Sequence, residues 1–411
     1  MSTPEEPALQ RRLGLADAVT IGLGSMIGAG IFVVLAPAAA AAGSDSGLLI
    51  GLGVAAVVAY CNATSSARLA ALYPQSGGTY VYGRERLGAF WGYTAGWSFV
   101  VGKTASCAAM ALTVGIYAWP AYAHAVAVAA VVVLTAVNYA GIQKSAVFNR
   151  VIVTIVLVVL ATVVVTLFGS GDRRVSATSF DGGSVGGVLQ AAGLLFFAFA
   201  GYARIATLGE EVRDPARTIP RAIPIALGIT LAVYAIVTVA VTLQLGGEGL
   251  ATSSAPLADA VRAAGHPGIE PVIRAGAAVA ALGSLLSLIL GVSRTTLAMA
   301  RDGHLPHSLA AVHPRFAVPH RAELVVGAVV AALAAFADVR GAIGFSAFAV
   351  LIYYAIANAS ALTLGRKLIP AAGLAGCILL AVLLPIGSVL VGTGVVLTGA
   401  LSYWLRRQYS S

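Results

Sequence analysis

Gly22-Leu23-Gly24-Ser25-Met26-Ile27-Gly28-Ala29-Gly30-Ile31-Phe32 is the stretch on which the reading of this chain turns. Four glycines within nine residues cost a helix interior about 1 kcal/mol each relative to alanine. Yet the stretch sits inside an apolar run, residues 17–40, long enough to cross a bilayer as helix. Two explanations are open. Small residues three or four apart let membrane helices approach closely. Alternatively the helix is broken, which lipid tolerates only where the freed backbone is buried in protein or lines a cavity.

A second interrupted run favours the break. Phe196-Phe197-Ala198-Phe199-Ala200-Gly201-Tyr202-Ala203-Arg204 leads out of an apolar run toward Glu210-Glu211-Val212-Arg213-Asp214-Pro215. These two runs would be spans one and six, the first members of two five-helix repeats. Interrupted helices at matching positions of inverted repeats point to a transport site at the bilayer midplane. Freed N–H groups and a helix N-terminus in span one suit a carboxylate. Freed carbonyls in span six accept bonds from an ammonium, so the pair fits a zwitterion.

The rest of the chain supports a membrane bundle. Of 411 residues, 59% are hydrophobic and 10% charged, against roughly 25% charged in soluble domains. The apolar runs predict spans at 17–40, 46–68, 87–117, 123–141, 146–169, 186–208, 222–245, 271–300, 322–337, 341–365, 369–384 and 386–405. The last two depend on Pro385 dividing residues 373–403 into two short helices. The expected organisation is a polar tail (1–16), a first five-helix repeat (17–169), a second (186–365), and two extra helices with a short tail (366–411). The tail has no apolar core of the signal-peptide type, so no cleaved leader is expected.

Eighteen of the 25 Lys and Arg fall in segments that would share one side. Arg173, Arg174, Arg262, Arg274 and Arg340 fall on the other, and Lys103 and Arg204 lie within spans. The bias predicts a multi-pass protein of the cell membrane with both termini in the cytoplasm. A net charge of +9 distributed in this way implies no nucleic-acid partner. Cys61, Cys107 and Cys377 all lie in apolar runs without metal spacing, so no metal site or cofactor is expected. His304, His307, His313 and His320 read as a solvated loop after span eight. No span carries the polar stripe of a channel or the catalytic set of an intramembrane enzyme, and no loop is long enough for a receptor domain.

At Gly24–Phe32, at Phe197–Tyr202 with GEEVRDPARTIPRAIP (209–224) behind it, and at Ala298-Met299-Ala300-Arg301-Asp302-Gly303-His304-Leu305-Pro306, the chain resembles the amino acid–polyamine–organocation superfamily of transporters. The third motif is most similar to the cationic amino acid transporter branch. The resemblance covers nearly the whole chain. It implies an all-α, five-plus-five inverted-repeat bundle of the leucine-transporter type, with helices one and six broken and about twelve spans. It also implies that Ser25, Met26, Ile27, Gly28, Ala29 and Gly30 surround the substrate carboxylate. Phe197 would close over the substrate, and Ala200 and Gly201 would form the unwound part of span six.

The departures concern charge. Many relatives carry an acid at the place of Ala203; here Arg204 follows instead, as a latch to Glu210 or Glu211 or as a charge in the site. Val156 stands where some relatives carry a lysine that replaces a sodium ion. Lys103 is deep in span three, where an unpaired cation costs about 2.5–3.5 kcal/mol. It either caps carbonyls of a broken neighbour as a fixed cation or titrates and couples transport to protons. No Asp or Glu occupies the middle of a span, which favours a neutral, or an acidic, amino acid over a dibasic one. The alternatives are a carrier of cationic amino acids, polyamines or other organic amines, or an exchanger. Ser284 and Ser287 could offer oxygens to sodium, but serines often bond their own helix, so H+ is preferred over Na+. Nothing in the sequence sets the oligomeric state.

Overall fold

The computed structural model describes residues 13–74, 77–141, 146–170, 183–202, 205, 212–316 and 318–410. Among these the chain is helical, with one isolated β-bridge, Leu13 to Val212. Continuous apolar runs must satisfy every backbone group internally in lipid, and helix is the local way to do so. Span one is Leu15–Met26 (α1), Gly30–Val33 (α2) and Leu35–Ala42 (α3). Asp45–Leu72 (α4), Ala89–Ala118 (α6), Ala123–Tyr139 (α7) and Ala146–Gly169 (α8) follow, with the short Thr79–Leu87 (α5) ahead of α6. Next come Val185–Phe199 (α9), Pro215–Thr252 (α10), the short Pro256–Ala263 (α11), Glu270–Arg301 (α12), His320–Phe336 (α13) and Val339–Leu362 (α14). Leu368–Val382 (α15) and Ile386–Ser410 (α16) complete the chain around Pro385.

Among the described residues nine of these helical segments are long and apolar enough to cross a membrane, and α9 and α15 are shorter apolar helices; with α13 they fall on the twelve spans that the sequence predicts. Two helices lie outside the predicted spans for a physical reason. α5 is short and carries Arg84, Glu85 and Arg86, and α11 is eight residues long.

The packing repeats itself after five spans. α4 packs on α10, α6 on α12, α7 on α13 and α3 on α9, so four of the five spans of one repeat meet their own counterparts in the other. Further contacts within the ten spans come in matched pairs: α1 with α10 and α9 with α4, α1 with α8 and α9 with α14, α6 with α14 and α12 with α8. This is the contact pattern of a five-plus-five inverted-repeat bundle. α6 and α14 are the most enclosed long helices, while α7 and α16 mostly face outward.

Both interruptions are present. α1 stops at Met26 because Ile27 leaves the helical region (φ −78°, ψ 54°), and the Gly28 N–H turns back to the Met26 carbonyl at 2.8 Å. Helical geometry resumes at Gly30 and continues through Val34 (φ −73°, ψ −25°) into α3, where Gly43 at φ +67° ends it. Gly22 and Gly24 stay helical. α9 stops at Phe199 and a turn at Ala200-Gly201-Tyr202 follows. Arg204, Glu210 and Glu211, and with them the expected latch, lie outside the described residues.

Candidate functional site

The two breaks meet. A side-chain Cβ on Gly201 would sit 2.1 Å from the Ser25 carbonyl oxygen and 2.4 Å from its carbon, so the turn of span six lies directly on the backbone at the end of α1. Gly30 faces Ala198 in the same way, with a Cβ position 3.1 Å from the Ala198 Cα. Gly28 faces α12, where its Cβ position would be 1.9 Å from Ser284 Oγ. Both explanations of the glycine stretch are therefore correct, for different glycines. Gly22 and Gly24 admit the side chains of Ile205 and Asn149 to the helix surface, whereas Gly28 and Gly30 belong to the break.

Carbonyls released at the breaks are held by side chains from neighbouring helices. The Tyr234 hydroxyl of α10 reaches both the Met26 carbonyl (2.5 Å) and the Ala198 carbonyl (3.2 Å), tying the two interrupted helices to one atom. Lys103 Nζ donates to the Ala200 carbonyl at 3.2 Å, and the Tyr354 hydroxyl of α14 donates to the same oxygen at 3.3 Å. Tyr117 donates to the Phe32 carbonyl at 2.7 Å. Close to Lys103 along α6, Ser106 and Ser346 share a hydrogen bond of 2.6 Å. Buried donors and acceptors seldom go unpaired, and these side chains supply donors to carbonyls at both breaks.

The predicted residues divide by position. Ser25 and Met26 occupy the last turn of α1, and the Ser25 hydroxyl bonds its own helix at Ile21 (2.9 Å). Ile27, Gly28 and Ala29 form the break and Gly30 opens the next helix. Phe197 is buried one turn before the second break, its ring edge 3.9 Å from the Cβ position of Gly30. Ser287 bonds the Gly283 carbonyl of its own helix at 2.9 Å, while Ser284 lies against Gly28. Val156 is fully buried. Tyr234 and Tyr354 were not singled out from the sequence. The signal was available, since a tyrosine within an apolar run must find a partner for its hydroxyl when buried. Lys103 is the only charged side chain that meets the breaks among the described residues.

Comparison with known proteins gives the family. The profile of the amino acid permease family matches residues 17–403. An uncharacterized transporter of Mycobacterium tuberculosis is 72% identical over 98% of this chain and 92% of its own length. A branched-chain amino acid permease of Bacillus subtilis is 28% identical over 81% of this chain and 76% of its own. The human cationic amino acid transporter 4 is 28% identical over 87% of this chain and 60% of its own. With the breaks and their packing, these matches mean that the chain belongs to the amino acid permease family, as a transporter and not an enzyme.

Proposed function

We propose that the chain is a secondary carrier of a neutral amino acid, working by alternating access. The observation that carries this reading is the juxtaposition of two broken helices with Lys103 as their one charged neighbour among the described residues. The substrate carboxylate would lie at Ile27, Gly28, Ala29 and Gly30, where the helix that restarts at Gly30 has first-turn N–H groups without intrahelical acceptors. The ammonium would take carbonyls of the Ala198–Gly201 turn. Phe197 would cover the bound molecule. Lys103, bonded to Ala200, would supply the fixed positive charge that holds the turn and balances the carboxylate.

A dibasic substrate would bring a second cation close to Lys103. Two like charges about 6 Å apart repel by roughly 3 kcal/mol at an effective dielectric of about 20, close to a hundredfold in affinity. The branched-chain permease relative supports the neutral class, and the cationic transporter relative supports the competing reading of a cationic amino acid. Competition of labelled leucine uptake by all twenty amino acids in proteoliposomes separates them. Aliphatic neutral amino acids should compete at least about a hundredfold better than arginine or lysine on this electrostatic argument. Equal or tighter competition by arginine would overturn it.

The Lys and Arg bias supports an orientation with both termini in the cytoplasm of a cell whose surface membrane holds the protein. Lys367 and His266 are exposed and would lie on opposite sides. A cysteine at Lys367 should react with an impermeant maleimide only from the cytoplasmic side, and one at His266 only from outside. The native cysteines Cys61, Cys107 and Cys377 are buried. The reverse labelling pattern would invert the topology.

A further inference from the structure

Besides Lys103, the other buried residue of charged type among the described residues is Glu323, in the first turn of α13. Its exposure is 0%, and neither carboxyl oxygen has a hydrogen-bond partner among the described residues. An acid in a first turn usually serves the helix dipole or accepts an N–H bond; this one accepts none. It belongs to a buried polar seam. One turn along α13, the Cβ position of Gly327 lies 2.6 Å from Thr135 Oγ1 of α7, which also lacks a partner. Asn138, nearly one turn further on α7, donates to the Leu286 carbonyl of α12 at 3.3 Å.

A carboxylate enclosed without donors costs many kcal/mol, and in such surroundings the group takes up a proton instead. The elements around α13 are α6, α7, α12 and the turn His307–Ala310. α12 brings Arg294, which is exposed and makes no ion pair with Glu323. α7 brings Tyr139, and the turn brings His307. Lys103, the buried cation of α6, is engaged with Ala200. On α13 itself His320 lies nearly one turn before Glu323, its ring edge-on to Tyr139 and to His313, and its Nδ1 is buried without a partner.

We infer that Glu323 is the proton-binding residue of the carrier, holding one proton in this conformation and releasing it when Arg294 moves in to pair with the carboxylate. In that step the carboxyl O–H bond breaks, the proton passes to water, and Arg294 neutralises the anion left behind. α12 carries both Arg294 and, ten residues earlier or about 15 Å along the helix, the Ser284 that touches Gly28. A pull on α12 at Arg294 is thus transmitted to the break in span one, which links the proton to the substrate site.

This inference rests on the reading of the chain as a secondary amino acid carrier, and two measurements keep their failures apart. The first uses the purified protein without substrate: infrared difference spectra across a pH titration. A protonated-carboxyl C=O band present in the wild type and missing in Glu323→Gln is expected; absence of that band from the wild type overturns the proton site. The second uses labelled leucine in proteoliposomes. Glu323→Gln should retain leucine exchange while gradient-driven accumulation falls to the level seen without a pH gradient, and Glu323→Asp should recover accumulation in part. Accumulation by Glu323→Gln equal to wild type, or loss of exchange and accumulation together in both variants, overturns the inference. A wild type that shows the Glu323 band but exchanges no leucine overturns the neutral-substrate reading and leaves the proton site supported.

Discussion

Replacing Gly201 with alanine is expected to abolish transport while leaving the protein in the membrane. The added methyl would lie 2.1 Å from the Ser25 carbonyl oxygen, 2.4 Å from the Ser25 carbonyl carbon and 2.7 Å from the Met26 nitrogen. All three atoms are backbone, so no side chain can rotate away, and the two broken helices must separate. A misplacement of about 1 Å at a site of this kind costs on the order of a hundredfold in rate. Overpacking of this size typically costs 1–3 kcal/mol, less than the margin that keeps a bundle folded. Gly28→Ala provides the contrast. Its methyl would meet Ser284 Oγ at 1.9 Å, but with that hydroxyl removed the nearest atom is the Ser284 Cβ at 3.2 Å. Gly28→Ala should therefore be impaired and partly rescued by Ser284→Ala. Initial uptake rates, normalised to the amount of protein in the membrane, test both variants. A Gly201→Ala protein with wild-type uptake would place the substrate site elsewhere.

Lys103→Met is expected to reduce leucine exchange and gradient-driven uptake by the same factor. The substitution removes the donor to the Ala200 carbonyl and leaves Tyr354 as that oxygen's partner. Hydrogen bonds from charged groups contribute about 1.5–3 kcal/mol, which predicts a loss of roughly ten- to a hundredfold in both activities. Protein yield should hold, because burying a cation carries a desolvation cost that methionine lacks. Lys103→Arg should be impaired as well, since the planar guanidinium does not fit the place of an ammonium. Glu323→Gln should show the opposite pattern, with exchange kept and accumulation lost. If Lys103→Met instead loses accumulation alone, the lysine itself titrates, and the fixed-cation role fails.

How far the sequence carries depends on whether a feature is local. The spans are legible because twenty apolar residues in a row are a property of the run itself, and the short final pair is legible because Pro385 falls between two apolar runs and cannot donate a backbone hydrogen bond. The meeting of spans one and six is legible only as an expectation, from two interruptions in matching places. Which glycine does what is not legible. Gly22 and Gly28 are both small residues in the same apolar run, and only the neighbours, Ile205 in one case and Ser284 in the other, distinguish packing from a break. The serines of α12 behave alike in sequence, yet Ser287 bonds its own helix while Ser284 touches span one.

Lys103 was visible at once as a cation deep in an apolar run, but the sequence left it either capping a carbonyl or titrating. The bond to Ala200 is a contact across 97 residues and had to come from the fold. Glu323 was hidden by its position. At the edge of a span, next to histidines that read as a solvated loop, an acid looks like an ordinary first-turn residue; the packing of α7 and α12 over α13 encloses it. The sequence by itself thus determined which segments lie in the bilayer, where two of them cannot remain helical, and that the span interiors are nearly free of charge. Each of these follows from the cost of polar groups and broken hydrogen bonds in lipid, a cost levied residue by residue. The tertiary structure decided which freed carbonyls are held by Tyr234, Lys103 and Tyr354, and which ionisable groups are buried. Burial and pairing depend on partners that lie far away in the chain and close together in space.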